Sequence, residues 1–298
     1  MPGHSFRWAA LAPPLFVVLW STGFIASKLG VPYIEPFTFL SLRFAFVLLL
    51  MLPLAVVLRA KWPATAREAA HIGVAGALIQ GGYLGGCFSA VFHGMPAGVT
   101  ALVVGLQPVV TAFAAAPFLK ERVTALQWLG LALGFGGVVM VMWQKTSLEG
   151  LTPISMAWAV LALVSITAGT VYQKRYCPAF DLRTGSVIQF GVALALLLPL
   201  AGFTETMRVA WTVDLVVALA WLVLVLSIGA ISVLFYLIKR GEATRVASLF
   251  YLTPITTAAM AYFIFGETLD ATALAGMVIG IIGVALIVRR PELATPEP

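Results

Sequence analysis

Apolar residues run through this chain in long blocks, without the strict alternation of a half-buried strand or the single stripe of a soluble helix. Short clusters of charge, proline and glycine divide the blocks. A hydrocarbon layer about 30 Å thick takes about 20 apolar residues to cross as a helix. Against that length the blocks resolve into ten predicted spans, at residues 9–27, 36–58, 69–92, 96–119, 124–143, 153–173, 184–203, 213–238, 247–265 and 271–288. The predicted fold is therefore all-α, a polytopic membrane protein, with 1–298 forming a single transmembrane domain and no segment left for a soluble one. The first block runs to roughly 19 residues without a small-residue cleavage site, so it reads as a span, not as a removed leader. The tail at 291–298 holds three prolines and two glutamates and is expected to be disordered.

Composition sharpens this picture. The 298 residues are 61% hydrophobic and 10% charged, with a mean hydropathy of +1.02, which excludes a soluble fold. The net charge of +6 sits almost wholly between apolar blocks. Lys and Arg accumulate in cytoplasmic loops, so their distribution reads as orientation and not as a nucleic-acid surface. Fourteen basic residues fall on the side of the amino terminus, among them Arg59, Lys61, Lys174, Arg175, Lys239 and Arg240. Three, Lys28, Lys145 and Arg208, fall on the other, and Arg43 lies inside a span. Both termini are expected to be cytoplasmic. Cys87 and Cys177 lie toward opposite faces and are not expected to pair.

The chain also resembles itself. A shift of 146 positions aligns Gly23 with Gly169, Pro32 with Pro178, Phe44 with Phe190, Pro108 with Pro254, Glu121 with Glu267, and Gly130, Gly134 and Gly137 with Gly276, Gly280 and Gly283. Coincident Pro, Glu and Gly are far less common by chance than coincident aliphatics, so the pattern reads as two repeats, at 9–143 and 153–290. Five spans per repeat is an odd number, so the second copy must enter the membrane from the opposite face. Inverted repeats are a common design of secondary transporters; a passive pore or a membrane signalling protein is the alternative.

Several residues carry a resemblance: Trp20-Ser21-Thr22-Gly23-Phe24 in the first span, Leu106-Gln107-Pro108 through Glu121, and the glycines that follow. A second copy stands at Thr253-Pro254, Gly266-Glu267 and Gly276 to Gly283. Over residues 9–290 the chain resembles the drug/metabolite transporter superfamily, in its ten-helix EamA-type branch. Within that branch it is most similar to the YddG-type bacterial exporters of aromatic and other neutral amino acids. The resemblance implies a central cavity between helices 1, 3, 4, 6, 8 and 9, with helices 5 and 10 at the periphery. It further implies a bacterial inner-membrane location and a small-molecule substrate; other branches move nucleotide sugars, triose phosphates or drugs. The buried glutamate of the four-helix drug exporters has no counterpart in the first span.

The residues themselves suggest where chemistry sits. Pro108 and Pro254 fall near the middles of the fourth and ninth spans, where a proline frees a carbonyl that only protein or a wet cavity can satisfy, so both are candidate hinges. Arg43, about 10 Å inside the second span at 1.5 Å per residue, is either a gate and carboxylate partner facing the bundle or a side chain reaching back to the headgroups. Trp20, Gln80, Tyr83, Gln107, Trp158 and Tyr236 are the candidate substrate-lining residues. Gln80 and Gln107 stand near span centres, with donors and acceptors that lipid cannot satisfy. Gly81, Gly82, Gly85 and Gly86 form a small face that either admits a ligand or lets helices approach. The GxxxG pairs of helices 5 and 10 are expected to pack inside each repeat, and Glu121, Glu267 and Thr124 to serve helix starts.

No Ser-His-Asp or Cys-His constellation, phosphate loop or metal cluster is legible, so neither an enzyme nor a cofactor is expected. None of the acidic residues falls in mid-span, which argues against obligatory proton coupling. The expected cargo is a neutral or zwitterionic metabolite such as an aromatic amino acid. Whether the chain is a monomer or a homodimer is left open by the sequence.

Overall fold

The structure, a computed structural model, describes residues 3–95, 97–119, 123–143, 151–177, 180–240, 243–265 and 270–288. Among them the extended elements are all helical, and one isolated bridge joins Ile34 to Val209. Ten helical spans follow in the predicted order: α1 (Gly3–Gly30), α2 (Pro36–Val57), α3 (Ala66–Phe92), α4 in two pieces (Ala97–Val104 and Gln107–Leu119), and α5 (Ala125–Met142). The second five are α6 (Pro153–Tyr176), α7 (Leu182–Thr204), α8 (residues 213–240), α9 in two pieces (Ala243–Ser248 and Leu252–Phe265), and α10 (Ala271–Val288). The tail at 291–298 and both Glu121 and Glu267 lie outside the described residues.

Local chemistry sets the helix starts. Thr65, Thr124, Thr152 and Thr212 each accept a backbone N–H three residues on, and Thr124 with Gln127 closes the predicted capping box. Pro36 and Pro153 occupy first-turn positions, where a missing N–H costs nothing. Apolar side chains then divide between two environments. Val57, Phe203, Val213 and Phe263 point outward, each at least 77% exposed, as lipid-facing residues do, while Phe16, Phe44, Phe190 and Tyr251 are fully enclosed.

The two repeats pack about a pseudo-twofold axis. Phe44 and Phe190, equivalent positions of the two copies, meet each other across it, with ring centroids 5.4 Å apart and planes inclined by 46°. Along α5 and α10 the contacts are reciprocal: Gly130 lies against Gly283, and its equivalent Gly276 lies against Gly137. The GxxxG faces thus close the seam between the repeats and do not pack inside each one, as the sequence suggested. The reason is steric. A Cβ on Gly137 would stand 2.5 Å from the Gly280 nitrogen, so only glycine allows these backbones to approach.

Helices α2 and α7 form a second reciprocal pair, knitted at both ends. On the face opposite that where α1 begins, Glu35 before α2 accepts from the backbone and hydroxyl of Thr206 after α7. Glu205 in turn accepts from the Phe37 and Thr38 backbones and the Thr38 hydroxyl. On the terminal face, where α1 begins and α10 ends, Asp181 before α7 accepts from the Lys61 backbone after α2, and the Thr184 hydroxyl donates to the Lys61 carbonyl. Glu35 and Asp181 are again equivalent positions.

The prolines do something other than expected. The chain breaks at Gly105-Leu106, and Pro108 sits at the second position of the helix that restarts at Gln107; in α9 a tight turn at Leu249–Tyr251 precedes Leu252, with Pro254 in the following turn. Each proline therefore begins a half-helix and does not kink a continuous one, because in the first turn no intrahelical bond is lost. The breaks themselves remain at equivalent places.

A feature without a sequence signature is a wider, π-helical turn within α3, at Ala77–Tyr83, and another within α8, at Leu222–Ala230. The 146-residue shift carries the first into the second. Such turns leave a carbonyl without its usual partner and are frequent at functional sites; in α8 the Ser227 hydroxyl donates to the freed Leu222 carbonyl, 2.9 Å away.

Candidate functional site

The broken helices and the π-turns converge on one place. A cavity of about 210 Å³ opens between α1, α2, α3, α4 and α8 in the half of the bundle away from the termini, reaching the exposed Pro32 in the connection between α1 and α2. Trp20, Tyr83, Cys87, Phe88 and Leu226 supply its walls and Arg43 its charge. A smaller lobe continues inward past Trp20 and Tyr83 to Val104, Gly105, Phe250, Thr253 and Pro254. Val104 and Phe250 are equivalent positions, so this lobe lies where the two helix breaks meet. The walls thus come from α1, α2, α3, α4, α8 and α9; α6, which the resemblance placed at the cavity, contributes none of these lining residues.

An aromatic floor separates the cavity from the terminal face. Trp20 stacks on Tyr83, with centroids 6.4 Å apart and planes inclined by 14°. Phe250 meets Trp20 edge-on at 5.3 Å and Phe16 at 5.3 Å. Below the floor, the Lys174 ammonium at the end of α6 donates to the Ile238 carbonyl of α8 at 3.3 Å, tying two helices together on the terminal face.

Arg43 is 3% exposed and faces the bundle, not the lipid headgroups. Its Nε donates to the Ser227 hydroxyl at 2.8 Å, and its remaining donors have no partner among the described residues. Among the described residues no carboxylate lines the cavity. A guanidinium held at one nitrogen and lining a largely apolar cavity can meet an anionic group such as a carboxylate.

The sequence candidates separate into groups. Trp20, Tyr83, Arg43 and Pro254 line the cavity or its inner lobe. Gln107 begins the second half of α4, fully buried, with its amide nitrogen 3.5 Å from the Thr170 hydroxyl and its oxygen unpaired among the described residues. Pro108 is buried beside it. Gln80 lies in the π-turn of α3, away from the lining, with no exposed surface and neither amide atom hydrogen-bonded to a described residue. Trp158 is held in the packing of α6 against α3, stacked near His93 and edge-on to Phe37. Tyr236 packs against the core toward the terminal end of α8 and does not reach the cavity.

The glycine face of α3 serves both readings at different positions. Gly82 and Gly86 are pressed onto Ser165 and onto the Trp158–Ala162 backbone, whereas a Cβ at Gly81 would meet nothing within 4 Å. Cys87, Leu226 and Phe250 were invisible as site residues, since nothing but three-dimensional proximity distinguishes them from other apolar positions. The 146-residue register offered one signal, because Leu226 is the equivalent of Gln80.

Comparison with known proteins follows the same outline. The profile of the EamA-like transporter family matches twice, at residues 7–143 and 153–289, which is the internal repeat. A "Probable amino-acid metabolite efflux pump" of Salmonella typhimurium is 30% identical over 282 residues, covering 90% of this chain and 91% of that protein. The "Uncharacterized transporter YvbV" of Bacillus subtilis is 26% identical over 93% of this chain and 90% of its own length. The "Uncharacterized inner membrane transporter YedA" of Escherichia coli is 24% identical over 94% and 90%. A crystal structure at 20% identity superposes with a TM-score of 0.76, covering 95% of this chain and 97% of the other, and shares the fold. With both halves matched, the cavity enclosed between them and five of the described helices long and apolar enough to span a bilayer, this chain is a multi-pass membrane transporter and belongs to the EamA-like transporter family.

Proposed function

We propose that this protein carries zwitterionic amino acids with bulky apolar side chains by alternating access, with the Arg43 guanidinium receiving the substrate carboxylate. The observation that carries the reading is the cavity's composition: among the described residues, mostly aromatic and aliphatic walls with Arg43 as the one cation. A sugar phosphate would call for several basic groups. At about 210 Å³ the space is smaller than the roughly 300–1,000 Å³ typical of drug-sized ligands. An apolar amino acid suits both limits, and the efflux-pump name of the Salmonella relative agrees with it.

The aromatic floor favours a carrier over a pore, since it blocks continuous passage while one face is open. We place the chain in a bacterial inner membrane with both termini cytoplasmic, from the basic-residue asymmetry and the inner-membrane name of the YedA relative. Export, the direction suggested by the resemblance to YddG-type carriers, then proceeds down the substrate gradient without obligatory proton coupling. The absence of a carboxylate among the cavity-lining residues supports this energy assignment.

Counterflow in liposomes tests the proposal. Labelled phenylalanine is expected to enter faster when unlabelled phenylalanine is trapped inside, and Arg43→Leu is expected to slow that exchange by about tenfold or more, as loss of a charge-assisted hydrogen bond implies. Flux without trans-stimulation would indicate a pore. Better transport of nucleotide sugars or organic cations than of phenylalanine would overturn the substrate assignment, and accumulation driven by a pH gradient alone would overturn the energy assignment.

A further inference from the structure

The inverted symmetry places an equivalent of the open cavity in the terminal half of the bundle. The 146-residue register converts Trp20 into Ile166, Gly23 into Gly169, Val31 into Cys177, Arg43 into Gln189 and Leu226 into Gln80. In this structure that region is packed shut: Ile166, Gln189 and Gln80 have no exposed surface. Gly169 is pressed against Leu78 and Ile79, so α6 closes directly on the π-turn of α3.

The closed region is polar where a structural core has reason to be apolar. Gln80 keeps both amide atoms unpaired among the described residues. Gln189 donates to the Gln173 side-chain oxygen at 2.8 Å but leaves its own oxygen without a described partner. The Gln189 backbone lies against Gly76, and Gln80 follows four residues later along α3, which turns the two amides toward neighbouring parts of one α3–α7 contact. Beside Gln80, the Cβ position of Gly81 looks into empty space. Gly81 is the equivalent of Ser227, the residue that holds Arg43 in the open half. Unpaired buried amides are costly, and they persist where another state satisfies them.

We propose that the terminal half holds a second, closed substrate vestibule in which the Gln80 and Gln189 amides bind the polar end of a zwitterionic solute, taking the part that Arg43 plays in the open half. The inference rests on the carrier reading above and assigns the residues that act on the other face. The two vestibules then differ in charge. A carboxylate meets a guanidinium on one face and neutral amides on the other, so substrate binds more tightly from the face opposite the termini. Because a ligand shifts a conformational equilibrium by its differential affinity, bound amino acid favours the state described here.

The chain carries its own reporters. Cys87 lines the open cavity, and Cys177, the equivalent of cavity-lining Val31, stands at the mouth of the closed one, 8% exposed. Burial pushes the Cys177 thiol up to about 11, so its alkylation at neutral pH measures opening of the terminal face. Maleimide labelling of each cysteine in the reconstituted full chain, with the other replaced by serine, tests the inference without any substrate. Gln80→Leu relieves the unpaired amide only in the closed state, and is expected to slow Cys177 labelling about tenfold while Cys87 labelling stays equal or rises. Gln189→Arg buries an uncompensated guanidinium in the closed state and is expected to speed Cys177 labelling about tenfold. A second measurement reads binding: Gln80→Leu should raise the KM for phenylalanine from the terminal face about tenfold and leave the KM from the other face unchanged.

Equal Cys177 rates in the parent and both variants would overturn the closed vestibule and leave the carrier reading standing. Faster labelling of both cysteines in Gln80→Leu would likewise overturn it, by showing Gln80 to be a packing residue. If the parent gives no phenylalanine counterflow while the two labelling rates shift as expected, the vestibule stands and the amino-acid assignment falls.

Discussion

Two pairs of helices related by the same symmetry are built in opposite ways. Helices α2 and α7 are fastened to each other at both membrane faces by carboxylates flanking one helix that accept from backbone flanking the other. Helices α3 and α8 each carry a π-turn, and around those turns the packing differs between halves: Leu226 faces an open cavity while its equivalent Gln80 is enclosed. The first pair is tied at both faces, through Glu35 on one and its equivalent Asp181 on the other, as a scaffold is. The second shows different contacts on its two faces, as a moving part captured in one of its positions does. Under the carrier reading proposed above, the pair tied at both faces serves as frame and the pair whose halves pack unlike each other serves as gate.

The comparison breaks most severely if the frame tolerates bulk. Gly137→Leu places a side chain against the Gly276 and Gly280 backbones of α10, where no rotamer relieves the contact. We expect a loss of about 3 kcal/mol, the upper end for overpacking, read as a large fall in Tm for the purified protein in detergent; an unchanged Tm would show that the seam is loose. Next in size is Glu205→Ala, which strands two backbone donors and a hydroxyl at the start of α2. A loss of about 2 kcal/mol is expected in the same melt, with the exchange rate per folded molecule preserved. If exchange fell while Tm held, α2 and α7 would belong to the gate.

A smaller effect is expected on the gate side. Ser227→Ala removes the Arg43 acceptor and the cover of the Leu222 carbonyl, at a cost of about 1 kcal/mol. Its signature is a raised KM for phenylalanine from the face opposite the termini, and a change in Tm without one would place Ser227 in the frame. The smallest effect concerns pH. The Arg183 side chain holds the Asp181 carboxyl down at about 2, so its contribution is complete above the ordinary carboxylate range near 4 and is lost as pH falls through 2. The pair is partly exposed and solvent-screened, so a drop of tenths of a kcal/mol is expected. Asp181→Asn should remove that pH dependence of Tm between about 4 and 2.

The sequence made the frame legible and the gate only partly so. Span positions followed from block length, and the repeat from Pro and Gly, because lipid leaves few alternatives for a long apolar helix. The seam of α5 against α10 was misread because GxxxG spacing says that a helix approaches something closely without saying what. Pro108 and Pro254 marked the right places for the wrong reason, as they start half-helices after breaks made by the preceding residues. Arg43, Trp20 and Tyr83, which line the cavity, stood out in the sequence because charge and amphipathic rings are rare in spans. The π-turns had no signature beyond Gly81-Gly82 and Gly229, since one widened turn does not alter hydropathy.

The Phe44–Phe190 contact has a consequence for how such a molecule can change. Away from the axis each position and its equivalent lie in separate surroundings, so the two can carry different residues, as Arg43 and Gln189 do. A residue on the axis meets its own counterpart, so a new side chain there must fit a neighbour drawn from the same position, and the contact has no spare copy. The pair therefore works as a hub shared by both halves.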